Sequence, residues 1–270
     1  MSQESTDSTE KYTRQTILEV RTWDHPSLCS VRVTRPEGFQ FRPGQFARIG
    51  LPTSDESDTP EIWRAYSMVT HPDQQSELEF YSVTVPEGEF SPRLAALQPG
   101  DPLWIERNPF GFLTLERFGY SNTLWLLGTG TGLSAYLPML SDQETWDKFG
   151  TVILVHGVRT SDELAYREEI AQYQTNATEN HSGTLIYLPV TSRQPWPAPN
   201  QSVASSRITT AIENGTLEKA AGHSLDPEKS CVMLCGNPEM VTEVRKMLSE
   251  KGFAAGRRGN LGNLAVENYW

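Results

Sequence analysis

The apolar pattern changes period near residue 119, and that change constrains the fold more than any other feature of the chain. Over residues 15–109 the apolar stretches are short. "TILEV", "LCSVRV", "QFARIGL", "RAYSMV", "LEFYSVTV" and "PLWIE" are strand-sized, rich in Val, Ile, Tyr and Phe, and several alternate apolar with polar. Turn signals separate them: "DHPS", "RPEG", "RPG", "PTSDESD", "HPDQQ" and "QPGD". Short strands in series without long helices predict an antiparallel six-stranded barrel. One helix is predicted among them, "SPRLAAL", with Ser91 as N-cap and Pro92 in the first turn.

Beyond residue 119 the runs become continuous. "TLWLLG", "TVILVHG", "TLIYLPV" and "CVMLCG" read as strands buried on both faces. Helix-like segments separate them: "GLSAYLPML", "SDELAYREEIAQYQ", "ITTAIENG" and "PEMVTEVRKMLSEKG". Strands alternating with helices predict a parallel, Rossmann-like α/β sheet. The expected organisation is a disordered tail over 1–11, a barrel domain over 12–119 and an α/β domain over 120–270, with the boundary near 118–122.

Composition excludes several classes. No apolar run approaches the roughly 18–20 residues of a spanning helix. "MSQESTDSTEK" has neither the basic nor the apolar region of a signal peptide, so a cytoplasmic protein without membrane association is expected. Cys29, Cys231 and Cys235 are too few for a disulfide framework or a four-thiolate iron–sulfur cluster. The C-x3-C pair lacks accompanying histidines, so no metal is expected. A net charge of -11 argues against a nucleic-acid partner. The chain holds 17 Arg and 6 Lys, and residues 12–119 hold ten Arg and no Lys.

"LLGTGTGLSAYL" lies where the first parallel strand should meet its helix. Gly128, Gly130 and Gly132 allow a tight turn and close approach by a pyrophosphate. Leu133 stands where the usual dinucleotide fingerprint has its last glycine. The next strand, "VILVHGVR", ends in Arg159 instead of the acid that holds ribose hydroxyls in NAD sites. Arg193 and Arg207 follow in loop-like contexts. Such donors suit a 2'-phosphate, so NADP is expected over NAD. In "RAYS", Arg64 and Tyr66 should share one face of a strand, and Ala65 and Ser67 the other. Arg64 could reach a phosphate, Tyr66 could lie on a flat ring and Ser67 could hydrogen-bond it.

"RAYS", "EFYSVTVPEGEFSPRLAALQPGD", "GTGTGLSAYLPML", "VHGVRTSDELAY", "VMLCGNPEMV" and "VENYW", in that order, resemble the bacterial ferredoxin/flavodoxin–NADP reductases. The resemblance implies an FAD-binding barrel followed by an NADP domain, with FAD bound tightly but not covalently. Arg64, Ala65, Tyr66 and Ser67 would line the flavin and its pyrophosphate, with Ser67 near N5. Tyr81, Ser82 and Val83 match the next FAD strand, and Glu89, Phe90 and Ser91 the pyrophosphate turn. Thr131 would lie between the domains near FAD. Gly130, Thr131, Gly132, Arg159, Ser192, Arg193 and Arg207 match the NADP side, and Cys235, Gly236, Asn237 and Met240 its nicotinamide and ribose end. Relatives often carry Lys at the position of Glu89, so its side chain should point outward. The loop "RQPWPAPNQSVASSR" is longer than in the enterobacterial-type branch, which leaves the alignment of Arg207 open.

The implied reaction moves a hydride between nicotinamide C4 and flavin N5, then single electrons between FAD and ferredoxin or flavodoxin. Ser67, Cys235, Glu267 and Tyr269 are the candidate catalytic residues. Cys235 and Glu267 would orient the nicotinamide, or Cys235 would be a small buried hydrophobe. Tyr269 would stack on the flavin and Trp270 would extend toward its adenine, forming a gate; the alternative is a hydrophobic anchor. Carrier docking should be transient and electrostatic, through a local Arg patch on an otherwise acidic monomer. The rival functions are an NADPH-dependent flavin or quinone reductase and a non-enzymatic electron-relay subunit.

Overall fold

The structure is a computed structural model that describes residues 11–54, 57–194, 205–257 and 260–268. The first part is an antiparallel sheet of β1 (Tyr12–Thr22), β2 (Leu28–Thr34), β3 (Phe46–Leu51), β4 (Ile62–Ser67), β5 (Glu77–Val83) and β6 (Pro102–Glu106), in the order β4-β3-β6-β1-β2-β5. Its two edge strands meet through a Met68–Phe80 bridge and a 2.9 Å bond from Val69 N–H to the Glu79 carbonyl. The sheet is therefore a nearly closed barrel, which removes most of the open edge a flat sheet would expose. Ile17, Val31, Ile49, Phe80, Leu103 and Ile105 fill it, and all are buried.

Helix α1 (Ser91–Ala96) plugs one end through Leu94. The expected capping role of Ser91 is corrected here. Phe90 occupies the N-cap without a side-chain cap bond, and Ser91 is the first helical residue. Its Oγ instead accepts the Val85 N–H at 2.9 Å, closing the "VPEGEFS" turn.

The second part is a parallel sheet of β7 (Thr123–Thr129), β8 (Thr151–Val158), β9 (Thr184–Thr191), β10 (Ser230–Gly236) and β11 (Leu264–Asn268), ordered β11-β10-β7-β8-β9. The apolar runs form β7 to β10 as expected. β11 was not anticipated, because "LAVEN" is short and half polar. It is an edge strand paired on one side only, with Cys235 in register with Glu267. The helices α3 (Gln143–Lys148) and α6 (Thr216–Ala221) were also not anticipated.

Two expected helices are altered at their starts. "GLSAYLPML" opens as a 3-10 segment, Gly130–Ala135, and only Leu137–Leu140 (α2) is α-helical, with Pro138 in its first turn. "SDELAYREEIAQYQ" opens as a 3-10 turn, Ser161–Glu163, and helix α4 (Arg167–His181) starts after Tyr166, which has a left-handed backbone (φ 60°). α5 (Ile208–Glu213) and α7 (Pro238–Glu250) complete the layers.

The two sheets share a core. Leu28, Val69 and Tyr81 of the barrel pack in one buried cluster with Leu133, Tyr136, Leu137 and Tyr166. The Trp23 and Tyr166 rings lie 4.4 Å apart, and those of Tyr81 and Tyr166 meet edge-on at 5.2 Å. Buried aromatic area of this kind fixes the relative position of the sheets more firmly than the exposed pairs Arg21–Glu169 and Arg167–Asp24 at their rim. β4 and β5 also approach the 3-10 segment after β7, so the barrel reaches the glycine loop directly.

Candidate functional site

The carboxyl ends of β7, β8, β9 and β10 point the same way, and a cavity of about 450 Å³ opens there against barrel residues Leu28, Tyr81 and Val83. Open α/β sheets bind ligands at such strand ends. The glycine loop forms one wall. Gly130 takes φ +54° with open space where a side chain would start, so a ligand backbone could approach closely. A Cβ on Gly132 would stand 2.8 Å from the Cys235 carbonyl oxygen, so this glycine is required for the loop to pack on β10. His156 props the loop from below, with Nε2 at 3.1 Å from the Gly130 carbonyl and Nδ1 at 3.4 Å from the Tyr187 hydroxyl. Burial pushes the His156 pKa down to about 4, so the ring is neutral and Nε2–H donates to Gly130.

At the mouth of β10, Asn237 caps α7. Its side chain accepts the N–H groups of Glu239 and Met240 at 2.9 and 3.1 Å, with Pro238 next in line. Its own N–H donates to Thr129 Oγ1 at 2.8 Å, which ties the glycine loop to the start of α7. Thr129 was not singled out from the sequence. Gly236 turns at φ +122°, and any Cβ there would strike Thr129.

Three arginines line the opposite wall. The strand pairing of β8 and β9 continues into Ser192 N–H to Val158 O and Arg193 N–H to Arg159 O, both 2.9 Å, which sets Arg159 and Arg193 side by side. Ser206 N–H returns to the Thr191 carbonyl at 3.0 Å, bringing Arg207 to the same cavity. The long loop that made Arg207 uncertain lies mostly outside the described residues. Among the described residues no carboxylate pairs with Arg193 or Arg207. Arg159 differs: Glu163, absent from the expected site, binds it through both carboxylate oxygens. The sequence showed no acid at the end of β8, and the 3-10 turn brings one back.

The barrel contributes the other face. Tyr66 packs on Phe80 and Phe90, and its hydroxyl lies 3.1 Å from Ser82 Oγ. Ser67 is buried, and among the described residues its Oγ has no hydrogen-bond partner, as is true of the Tyr81 hydroxyl. Orphaned buried hydroxyls are costly, and two here fit a site completed by a polar flat ligand. Arg64 is exposed and donates to the Trp63 carbonyl at 2.8 Å. Glu89 is exposed, as its charge suggested. Phe90 is a core residue, so only its backbone can serve a pyrophosphate. Ala65 and Glu267 line a second, apolar hollow with Phe46, Phe110 and Phe112.

Glu267 accepts the Phe112 N–H at 3.3 Å, which joins β11 to the end of the barrel. Cys235 is fully buried in the shared core and does not line the cavity; burial, with the Glu267 charge second, pushes its thiol pKa up, so it is no thiolate at neutral pH. Tyr269 and Trp270 lie outside the described residues. No helix among the described residues is long and apolar enough to cross a membrane.

Comparison with known proteins agrees with this geometry. Residues 25–113 match the oxidoreductase FAD-binding domain, and residues 126–246 the oxidoreductase NAD-binding domain. The chain is 36% identical over 255 residues to a flavodoxin/ferredoxin–NADP reductase of Escherichia coli strain K12, covering 94% of this chain and 97% of that one. It is 35% identical over 260 residues to a ferredoxin–NADP reductase of Pseudomonas aeruginosa, covering 93% and 95%. A crystal structure of a ferredoxin–NADP+ reductase from Neisseria gonorrhoeae, with FAD and NADP bound, superposes with a TM-score of 0.86 at 32% identity, covering 97% of this chain and all of that one. With an FAD-binding barrel, a parallel NAD-binding sheet and relatives alike over nearly the whole length, the chain belongs to the flavodoxin/ferredoxin–NADP reductase family.

Proposed function

We propose that this protein is an FAD-dependent oxidoreductase that passes a hydride between NADP(H) and FAD and single electrons between FAD and ferredoxin or flavodoxin. The convergence of Arg159, Arg193 and Arg207 on the glycine-loop cavity carries the NADP assignment. A 2'-phosphate is a dianionic acceptor that planar guanidinium groups bind in pairs of hydrogen bonds, and water-exposed arginines keep their charge at any physiological pH. Ser192 adds a hydroxyl to the same rim. The glycine loop and the start of α7 offer backbone room for the pyrophosphate.

Bound FAD supplies the conversion of a two-electron hydride to single electrons. The chain's own residues position it. Among the described residues Ser67 on β4 and Tyr81 on β5 offer buried hydroxyls without partners, and Ala65 and Tyr66 precede Ser67 on β4. Thr131 stands in the same cavity as Arg159, so a nucleotide held by the arginines must pass over the glycine loop toward the barrel. Glu267 is fixed by the Phe112 N–H, which suits orientation more than proton transfer. Tyr269 and Trp270 are proposed to cover the flavin.

The Arg patch for an acidic carrier is narrower than composition suggested. Arg32 pairs with Glu19 and Glu77, Arg42 with Glu116 and Arg48 with Glu106. Arg35 is buried and donates to the carbonyls of Phe39, Pro72 and Gln74. Among the described residues Arg14, Arg64 and Arg93 are exposed without a carboxylate within ion-pair distance; with Arg64 assigned to the FAD pyrophosphate, Arg14 and Arg93 are the proposed steering charges.

The deciding experiment is anaerobic mixing of the purified yellow protein with NADPH and, in parallel, NADH. Rapid bleaching by NADPH in preference to NADH is expected, followed by faster reoxidation by ferredoxin or flavodoxin than by free flavins or quinones. A colourless protein, or flavin that NADPH does not bleach, overturns the proposal. Preference for free flavins or quinones would assign a different acceptor.

A further inference from the structure

We propose that Glu163 is a positioning residue that presets Arg159 for the 2'-phosphate and thereby helps decide NADP over NAD; this rests on the NADP reading above. Glu163 closes the 3-10 turn Ser161–Glu163 directly after β8, and it is 7% exposed. Oε2 accepts the Arg159 backbone N–H at 2.8 Å. Oε1 accepts Arg159 Nε–H at 2.6 Å and also pairs with Nη2. One carboxylate thus holds both the main chain and the guanidinium edge of a single residue.

The consequences follow from donor geometry. With Nε–H and the inner Nη2–H engaged, both Nη1 hydrogens and the outer Nη2 hydrogen have no partner among the described residues. The Arg159 side chain is 51% exposed whereas that of Glu163 is 9% exposed, so the carboxylate lies on the protein side and the guanidinium on the open side. A long, mobile side chain is ordered before the nucleotide arrives, and that ordering need not be met on binding. From the barrel, His25 Nε2 stands 4.0 Å from the same Oε1, beyond hydrogen-bond reach.

An acid near the end of this strand would take ribose hydroxyls in an NAD site. Here its oxygens are engaged by Arg159. The negative charge also weakens attraction for a phosphate, but it sits behind the guanidinium, and Arg193 and Arg207 add positive charge to the same cavity. Preorganisation therefore outweighs repulsion, and removing Glu163 should weaken phosphate binding, not strengthen it.

The test uses the FAD-loaded protein and its Glu163→Ala, Glu163→Gln and Arg159→Ala variants. Calorimetric titration with 2',5'-ADP and 5'-AMP isolates the phosphate. Glu163→Ala is expected to weaken 2',5'-ADP about tenfold, the equivalent of one charge-assisted hydrogen bond, and to leave 5'-AMP unchanged. Glu163→Gln keeps one acceptor oxygen in the same volume and should fall between. In turnover, KM for NADPH should rise while kcat and KM for NADH hold. Unchanged or tighter 2',5'-ADP binding in Glu163→Ala, or in Glu163→Gln should the alanine variant fail to fold, overturns the inference. If Arg159→Ala weakens 2',5'-ADP and the Glu163 variants do not, only the inference fails. If Arg159→Ala also leaves it unchanged, the assignment of Arg159 to the phosphate site fails with it.

Discussion

Tyr166, at the start of α4, donates its phenolic hydrogen to Oε1 of Glu79 on barrel strand β5 at 2.6 Å. Tyr166 is buried, and Glu79 is shielded enough that burial raises its carboxyl pKa, with the Tyr166 hydrogen bond opposing. Tyr166 holds a left-handed backbone, which disfavours a bulky residue and persists only where the surroundings over-determine it. The surroundings here are the Trp23 and Tyr81 rings and the Glu79 carboxylate. Tyr81 in turn lines the dinucleotide cavity, so this contact joins the two sheets directly behind the site.

Tyr166→Phe keeps the ring contacts and removes one of two side-chain donors to Glu79, leaving Ser30. The expected cost is about 1–3 kcal/mol, the loss of one hydrogen bond to a buried carboxylate. Urea denaturation of the FAD-loaded protein measures it. A loss below the error of the midpoint would mean that water replaces the phenol and that the contact does not hold the sheets.

His156 sets an acid limit. Its pKa is depressed from 6.5 to about 4, so above 6.5 both folded and unfolded chains are neutral at this residue. As pH falls below 6.5 the unfolded chain takes up a proton that the buried ring refuses until about 4. Stability contributed by the neutral ring is therefore present above 6.5 and lost as pH falls through that window, by up to about 3 kcal/mol. His156→Gln, which can still donate to Gly130, should flatten the pH dependence of the denaturation midpoint over this range. An acid arm of unchanged slope in the variant would place the proton uptake elsewhere.

Two glycines two residues apart should fail for different reasons. Gly130 is left-handed with open space around it, so Gly130→Ala costs about 1–2 kcal/mol of backbone strain, and Gly130→Asn, which tolerates this conformation, costs less. Gly132 has no positive φ but abuts the Cys235 carbonyl, so Ala and Asn should both disrupt the loop, by about 1–3 kcal/mol or more, and weaken NADP+ binding. Thermal denaturation and NADP+ difference spectra report the two effects. Rescue of Gly132 by Asn would contradict the packing argument.

Reversing the charge of Arg14 or Arg93 should slow electron delivery to ferredoxin or flavodoxin and leave NADPH-driven reduction of a small neutral acceptor unchanged. The wild-type rate with the carrier should fall as salt rises, because long-range steering is screened over a Debye length of about 10 Å at 0.1 M. Stopped-flow reoxidation across an ionic-strength series checks both. Rates indifferent to salt would remove electrostatic steering from the picture.

Much of the fold was legible because strand-forming runs announce which of their faces are buried. Period-two alternation marked the barrel strands, and continuous Val, Ile and Leu runs marked β7 to β10. The arginines near the ends of β8 and β9 were legible because an acid was missing beside the first. β11 was not legible: an edge strand of five residues with a half-exposed pattern carries little periodic signal. Glu163 carried a weak one, four residues after Arg159, the spacing of a helical ion pair, in a segment that turned out to be a 3-10 turn.

The sequence by itself determined the two layer types, their order along the chain and the glycine loop between them, because hydrophobic period and glycine placement act over a few residues. Tertiary structure alone decided the rest. It placed Arg159, Arg193 and Arg207 around one cavity, turned Glu163 onto Arg159, buried Cys235 away from that cavity and engaged several barrel arginines in ion pairs. Those outcomes depend on strand order and on contacts between residues far apart in the chain, where Coulomb attraction and burial compete for the same side chains and no local pattern records which prevails.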